Sequence, residues 1–172
     1  MKKATEASPG FCLPVDTPLG CAVIRYRKDP TALTEIRLPR PGQSCKGMAR
    51  EDDPPPAVLA AARELGRYFA GEEPRVDWDL LDFSGLTERM QAILRCCAEI
   101  PYGTVTSYGE LARRAGMPGA ARFAGNTMSR NPFPVFIPCH RVVHADGGLG
   151  GFSGGLDLKT KLLDLERSKA GR

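Results

Sequence analysis

A cysteine and a histidine stand side by side at Cys139 and His140, between Pro138 and Arg141. A thiolate is a soft, strong nucleophile and a nearby imidazole can take the thiol proton, so the pair has the residue types for covalent group transfer to sulfur. The lead-in "PVFIP" is apolar and strand-like, which predicts a half-buried thiol. Burial alone raises a thiol's pKa and makes it inert, so reactivity requires a base or a positive charge close by. Adjacent residues of an extended strand point to opposite faces, and contact between Cys139 and His140 therefore needs a turn or a bridging water. A cysteine in an apolar segment can equally be plain packing, and "PCHR" fits both readings. A third group normally orients such a base. Glu166 sits one turn beyond Leu162, at the edge of the apolar face formed by Leu158, Leu162 and Leu165. There it either turns inward to hold the imidazole or stays a solvated helix-end charge.

Directly downstream, "GGLGGFSGG" places six glycines in the nine residues 147–155. Bare backbone at that density lets main-chain amides and carbonyls close on a ligand. A nucleotide-phosphate loop is excluded, because no Gly-Lys-Ser or Gly-Lys-Thr follows and no βαβ pattern surrounds the tract.

The elements that position this segment lie upstream. In "SYGELARRA", Tyr108, Leu111, Ala112 and Ala115 share one face of a short helix, and "GMPG" then signals a turn. In "AARFAGNTMSR", Ala120, Phe123, Ala124 and Thr127 face inward, while Arg122, Gly125, Asn126 and Ser129 fall on the opposite side until Asn131-Pro132 ends the helix. Two short helices joined by a glycine-containing turn are the helix-turn-helix arrangement, and they equally suit a hairpin packed for stability. The outer face carries one long arginine among small residues, which suits close approach to a minor groove better than sequence reading in a major one.

Further back, "TPLGCAVIRYRKDPTALTEIRLP" predicts a strand pair or small antiparallel sheet turning at Asp29-Pro30. A polar, proline-dense loop, "GQSCKGMAREDDPPPA", leads to a helix whose apolar positions are Val58, Ala62, Leu65 and Phe69. Thr87 is the expected N-cap of "ERMQAILRCCAEI", which Pro101 closes. This organisation predicts an α+β chain divided into residues 1–86 and 87–172.

Composition narrows the class. Residues 1–100 carry 14 Lys/Arg against 15 Asp/Glu, whereas residues 101–172 carry 10 against 5, so a polyanion would be drawn to the second half. The opening "MKKATEASPGF" has no apolar run behind its lysines, which predicts an intracellular protein without signal peptide or membrane span. Six irregularly spaced cysteines in such a compartment are expected to be free thiols. The only histidines are His140 and His144, so an imidazole-containing metal site in the first hundred residues is excluded.

From Ile100 to Glu166 the motifs "IPYG", "SYGELA", "AAR", "NP", "IPCHRVV" and "GGFSGG" follow one another in a way that resembles the O6-alkylguanine-DNA alkyltransferases, single-use proteins that repair alkylated guanine. The first half shares little beyond "TPLG". The resemblance implies a small N-terminal domain of antiparallel sheet and helix, then a mostly helical domain with a winged-helix-like helix-turn-helix motif. It implies that Cys139 accepts the alkyl group, that His140 takes the thiol proton through a water, and that Glu166 orients His140. Tyr108 would hydrogen-bond the base and protonate the departing guanine, and Asn131 would tie the helix end to the active segment. Arg122 would fill the place of the flipped nucleotide, with Ser107, Gly125, Asn126, Ser129 and Arg141 also facing DNA. The carbonyls of Cys139 and Val142 and the amide of Ser153, beside Phe152, would meet the guanine edge.

The implied partner is double-stranded DNA carrying O6-alkylguanine, bound through the minor groove by a monomer without sequence specificity, with O4-alkylthymine as a minor substrate. No cofactor and no metal are implied, and the implied location is cytoplasmic, or nuclear in a eukaryote. Two departures stand out: Phe152 replaces a tyrosine common among members, and Ser129 replaces an arginine found in some relatives. His144 receives no role. Competing readings are a non-catalytic module that binds alkylated DNA, against which Cys139 argues, and a Cys-His-Glu hydrolase, which would leave the Arg122 helix without a purpose.

Overall fold

A computed structural model describes residues 10–40, 45–46 and 52–170; the N-terminal leader and most of the proline-dense loop fall outside them. The chain opens with an antiparallel sheet in the order β1 (Phe11–Thr17), β2 (Gly20–Lys28), β3 (Thr31–Arg37). Side chains alternate along each strand, so Leu13 pairs with Ile24 and both are buried on one face together with Ala22 and Tyr26. A register irregularity at Arg25/Tyr26 brings Leu33 and Ile36, three residues apart, onto that same buried face.

Helix α1 (Pro56–Phe69) covers the sheet and begins at Pro56, whose fixed φ and missing N–H suit a first helical position. Val58, Leu65 and Phe69 are buried as the periodicity predicts. The stripe is centred slightly differently, however: Ala61 and Tyr68 are buried, and Ala62 is only partly so. Leu65 is completely buried, and truncating it to alanine would cost about 2–5 kcal/mol.

Four helices complete the fold: α2 (Glu88–Ala98), α3 (Tyr108–Arg114), α4 (Ala121–Ser129) and α5 (Leu156–Ala170). Thr87 caps α2 by accepting the Met90 amide, and Ser107 caps α3 by accepting the Glu110 amide. Two very short strands, β4 (Thr106–Ser107) and β5 (Val142–Val143), pair in parallel. This ladder sets the first residue of α3, Tyr108, beside the chain leaving Cys139. One continuous apolar cluster runs from the sheet through Ile93, Leu111 and Ala124 to Leu162 of α5.

One expectation is overturned. Cys21 and Cys45 form a disulfide with an S–S distance of 1.99 Å, and the free cysteines are Cys12, Cys96, Cys97 and Cys139. The partners are 24 residues apart, Cys21 on β2 and Cys45 near the start of the proline-dense loop, a spacing that carries no pairing signal in sequence. Among the described residues no helix is long and apolar enough to cross a membrane.

Candidate functional site

The segment entering the site is not the strand its composition suggests. Phe133 through Val143 are all buried, and Val135, with φ 78°, sits in the left-handed region that β-branched residues avoid. The chain turns there, with the Ile137 amide donating to the Phe133 carbonyl at 2.8 Å, and then enters a single 3-10 turn, Cys139–Arg141. That turn removes the opposite-face problem that a strand would pose for Cys139 and His140. Asn131, just past α4, braces the segment: its Nδ2 donates to the Ile137 carbonyl at 2.8 Å and its Oδ1 accepts the Phe133 amide at 3.0 Å.

Glu166 of α5 is the hub. Its Oε1 accepts from His140 Nε2 at 2.6 Å, Tyr68 O–H at 3.0 Å and Arg141 Nη2 at 3.1 Å. Its Oε2 accepts from Arg141 Nε at 2.8 Å and the Gly103 amide at 2.9 Å. Burial alone would raise this carboxyl, but the hydrogen bonds and charges of His140 and Arg141 outweigh it and hold the pKa at about 2. Burial lowers the pKa of His140, with Arg141 and Lys159 acting the same way against the pull of Glu166, so the imidazole rests neutral. With Nε2 committed to Glu166, Nδ1 is buried and has no hydrogen-bond partner among the described residues.

Cys139 is buried, with 4% of the residue exposed. Burial raises its pKa; the Asn131 amide, the Lys159 charge and the backbone amides of Cys139 and His140 oppose the rise. Lys159 was not singled out in the sequence, where it reads as one more solvated helix charge. It is fully buried, and its Nζ donates to the Val142 carbonyl at 2.7 Å and to the Leu149 carbonyl. The Cys139 carbonyl accepts the Val142 amide.

Tyr108 is partly buried, and its phenol is held protonated by burial and by the proximity of Cys139 and Cys97. The glycine tract wraps over it. A Cβ on Gly150, which has φ +68°, would lie 2.6 Å from the Tyr108 hydroxyl. His144 packs its ring on Tyr108 with 5.3 Å between centroids. Phe152 is half-buried and Ser153 exposed at the mouth.

On α4, Arg122, Asn126 and Ser129 are exposed and Gly125 lies beneath them beside the Tyr108 ring. Arg122 makes no ion pair or side-chain hydrogen bond among the described residues. Ser107 is partly occupied as the α3 cap. Arg141 is the exception among residues expected at a DNA surface. It is 2% exposed, with its guanidinium spent on Glu166 and the Ile100 carbonyl, and an arginine so enclosed cannot reach a phosphate. Among the described residues no group of His, Cys, Asp and Glu could hold a metal ion.

Residues 88–168 match the family model of the 6-O-methylguanine DNA methyltransferase DNA binding domain. The chain is 41% identical over 153 residues to a methylated-DNA--protein-cysteine methyltransferase of Mycolicibacterium paratuberculosis, covering 89% of this chain and 90% of that one. A namesake from Methanothermobacter thermautotrophicus is 40% identical over 124 residues, 72% of this chain and 69% of its own. Among solved structures, Mycobacterium tuberculosis OGT in complex with DNA superposes with a TM-score of 0.75 at 35% identity, covering 92% and 94% of the two chains.

Proposed function

Because the chain belongs to the methylated-DNA--protein-cysteine methyltransferase family, we propose that it flips O6-alkylguanine out of duplex DNA and moves the alkyl group irreversibly to its own Cys139. DNA binding and DNA repair by alkyl transfer are this family's activity and are this chain's. The buried Cys139–His140–Glu166 array, with Nδ1 of His140 unpartnered, carries the finer reading.

In this reading the Cys139 proton passes through a water to Nδ1 of neutral His140, and the imidazolium that forms is stabilised by the ionised Glu166. The sulfur attacks the alkyl carbon; the S–C bond forms as the C–O6 bond breaks, and Tyr108 donates its proton so that the base leaves as neutral guanine. The Cys139 and Val142 carbonyls accept from the exocyclic amine, the Ser153 amide donates to O6, and Phe152 lines the pocket. Each molecule acts once, because the S-alkylcysteine formed is a thioether, whose C–S bond is stable to water.

Arg122 enters the stack where the base left, offsetting an unstacking cost of a few kcal/mol. Ser107, Gly125, Asn126 and Ser129 follow the minor groove as part of a helix-turn-helix, and a monomer suffices. Residues 1–86 act as a supporting domain and residues 87–172 carry DNA binding and transfer. The test is a duplex whose restriction site is blocked by O6-methylguanine. The wild type restores cleavage, and Cys139→Ala binds the duplex without restoring it; restoration by Cys139→Ala would overturn the reading.

A further inference from the structure

Tyr68 lies on α1, far in sequence from the reacting segment, yet its hydroxyl is 3.0 Å from Glu166 Oε1 and 3.1 Å from His140 Nε2. It is fully buried, and its ring packs edge-on against His140, Phe69 and Tyr102. Packing alone would be met by phenylalanine, which occupies the next position. A buried hydroxyl needs a partner, and this one meets the one oxygen that the base also uses.

We propose that Tyr68 is a positioning residue for alkyl transfer, whose O–H donates to Glu166 Oε1 and fixes the carboxylate so that His140 is held by Nε2 with Nδ1 left free for the Cys139 proton. The proposal rests on the transfer reading above. The first half of the chain thereby completes the hydrogen-bond network of the second. Around His140 the facing groups are Tyr68 from α1, Glu166 and Lys159 from α5, and Arg141 from its own turn. Tyr102 flanks them, with the Arg141 guanidinium 5.3 Å from its ring.

Tyr68 and Nε2–H share one acceptor. Removing the phenol strengthens the hold of Oε1 on Nε2–H and raises the proton affinity of His140. Since His140 acts as a neutral base, the acid limb of the pH–rate profile then moves to higher pH.

The experiment measures single-turnover methyl transfer from saturating O6-methylguanine duplex across pH for the wild type, Tyr68→Phe, and a chain with 3,5-difluorotyrosine at position 68. Thermal unfolding and duplex affinity are measured alongside. Tyr68→Phe is expected to slow transfer about tenfold near neutral pH, the worth of one hydrogen bond to a charged group, and to raise the acid limb at unchanged duplex affinity. Difluorotyrosine, a stronger donor, moves the limb the other way. A folded Tyr68→Phe with wild-type rate and limb overturns the proposal, as does a loss confined to duplex affinity. If Tyr68→Phe does not fold, an unmoved limb in the difluorotyrosine chain overturns it. Failure of the wild type to methylate Cys139 would instead sink the transfer reading itself.

Discussion

Gly150→Ala separates the geometry of the base pocket from the stability of its loop. Two effects are expected at this position. Its φ of +68° is a conformation that costs an L side chain about 1–2 kcal/mol, which in a chain of this length lowers Tm by about 2–8 °C. The added Cβ would also lie 2.6 Å from the Tyr108 hydroxyl and 3.0 Å from its Cε2. Relief requires the ring to move by about 1 Å, a displacement that at a reacting centre costs about a hundredfold in rate. Two neighbours serve as controls. Gly147 has φ +86° and open space around its Cβ position, so alanine there brings the strain without the clash. Gly151 has neither. Single-turnover transfer from O6-methylguanine duplex is expected to fall about a hundredfold for Gly150→Ala, little for Gly147→Ala and not at all for Gly151→Ala. Melting temperature should fall similarly for the first two. Transfer by Gly150→Ala at the Gly151→Ala rate would refute the placement of Tyr108 at the reacting base.

Lys159→Met leaves the Val142 and Leu149 carbonyls without their buried donor and is expected to cost about 3 kcal/mol in urea unfolding. It also removes a positive charge that lowers the Cys139 pKa, so alkylation of Cys139 by iodoacetamide should need higher pH. Stability should fall in acid in two stages. His140, lowered from 6.5 in the fold, favours the unfolded chain as pH drops through 6.5 toward its folded pKa. The stabilisation from Glu166 is fully present above its unfolded value of 4.5 and is lost as pH falls toward about 2. Urea unfolding at stepped pH reads both stages, and a flat profile from pH about 7 to 3 would contradict the network. Arg122→Ala should leave stability within about 0.5 kcal/mol yet slow transfer on duplex about tenfold or more, given an unstacking cost of a few kcal/mol. Transfer from the free O6-methylguanine base should be unaffected, and equal slowing on both substrates would contradict insertion.

Much of the site could be read from spacing because its parts lie on short, strongly patterned elements. Thr87 announces α2 as its cap, and the face of α4 follows from a period of 3.6, whereas the capping role of Ser107 on α3 emerges only from the structure. Cys139 and His140 are legible as a pair, but the turn that makes them compatible depends on the left-handed Val135, which no propensity favours. Charged residues proved hardest to place. Lys159 and Arg141 look like solvent-facing cations, and only tertiary packing shows that each is fully enclosed by carbonyls or by Glu166. Tyr68 carries no signal at all, because its partners are 72 and 98 residues away. The Cys21–Cys45 disulfide was hidden for the same reason: a long-range contact leaves no local pattern.

In the proposed transfer Cys139 is the acceptor and is consumed. The direct measurement titrates the protein with duplex containing O6-methylguanine, counts methyl groups transferred per chain, and maps them by peptide mass spectrometry. A single methyl group per chain is expected, on the peptide containing Cys139, with guanine restored in the DNA and no further transfer when fresh duplex is added. Repeated turnover, or a methyl group on Cys12, Cys96 or Cys97, would contradict it.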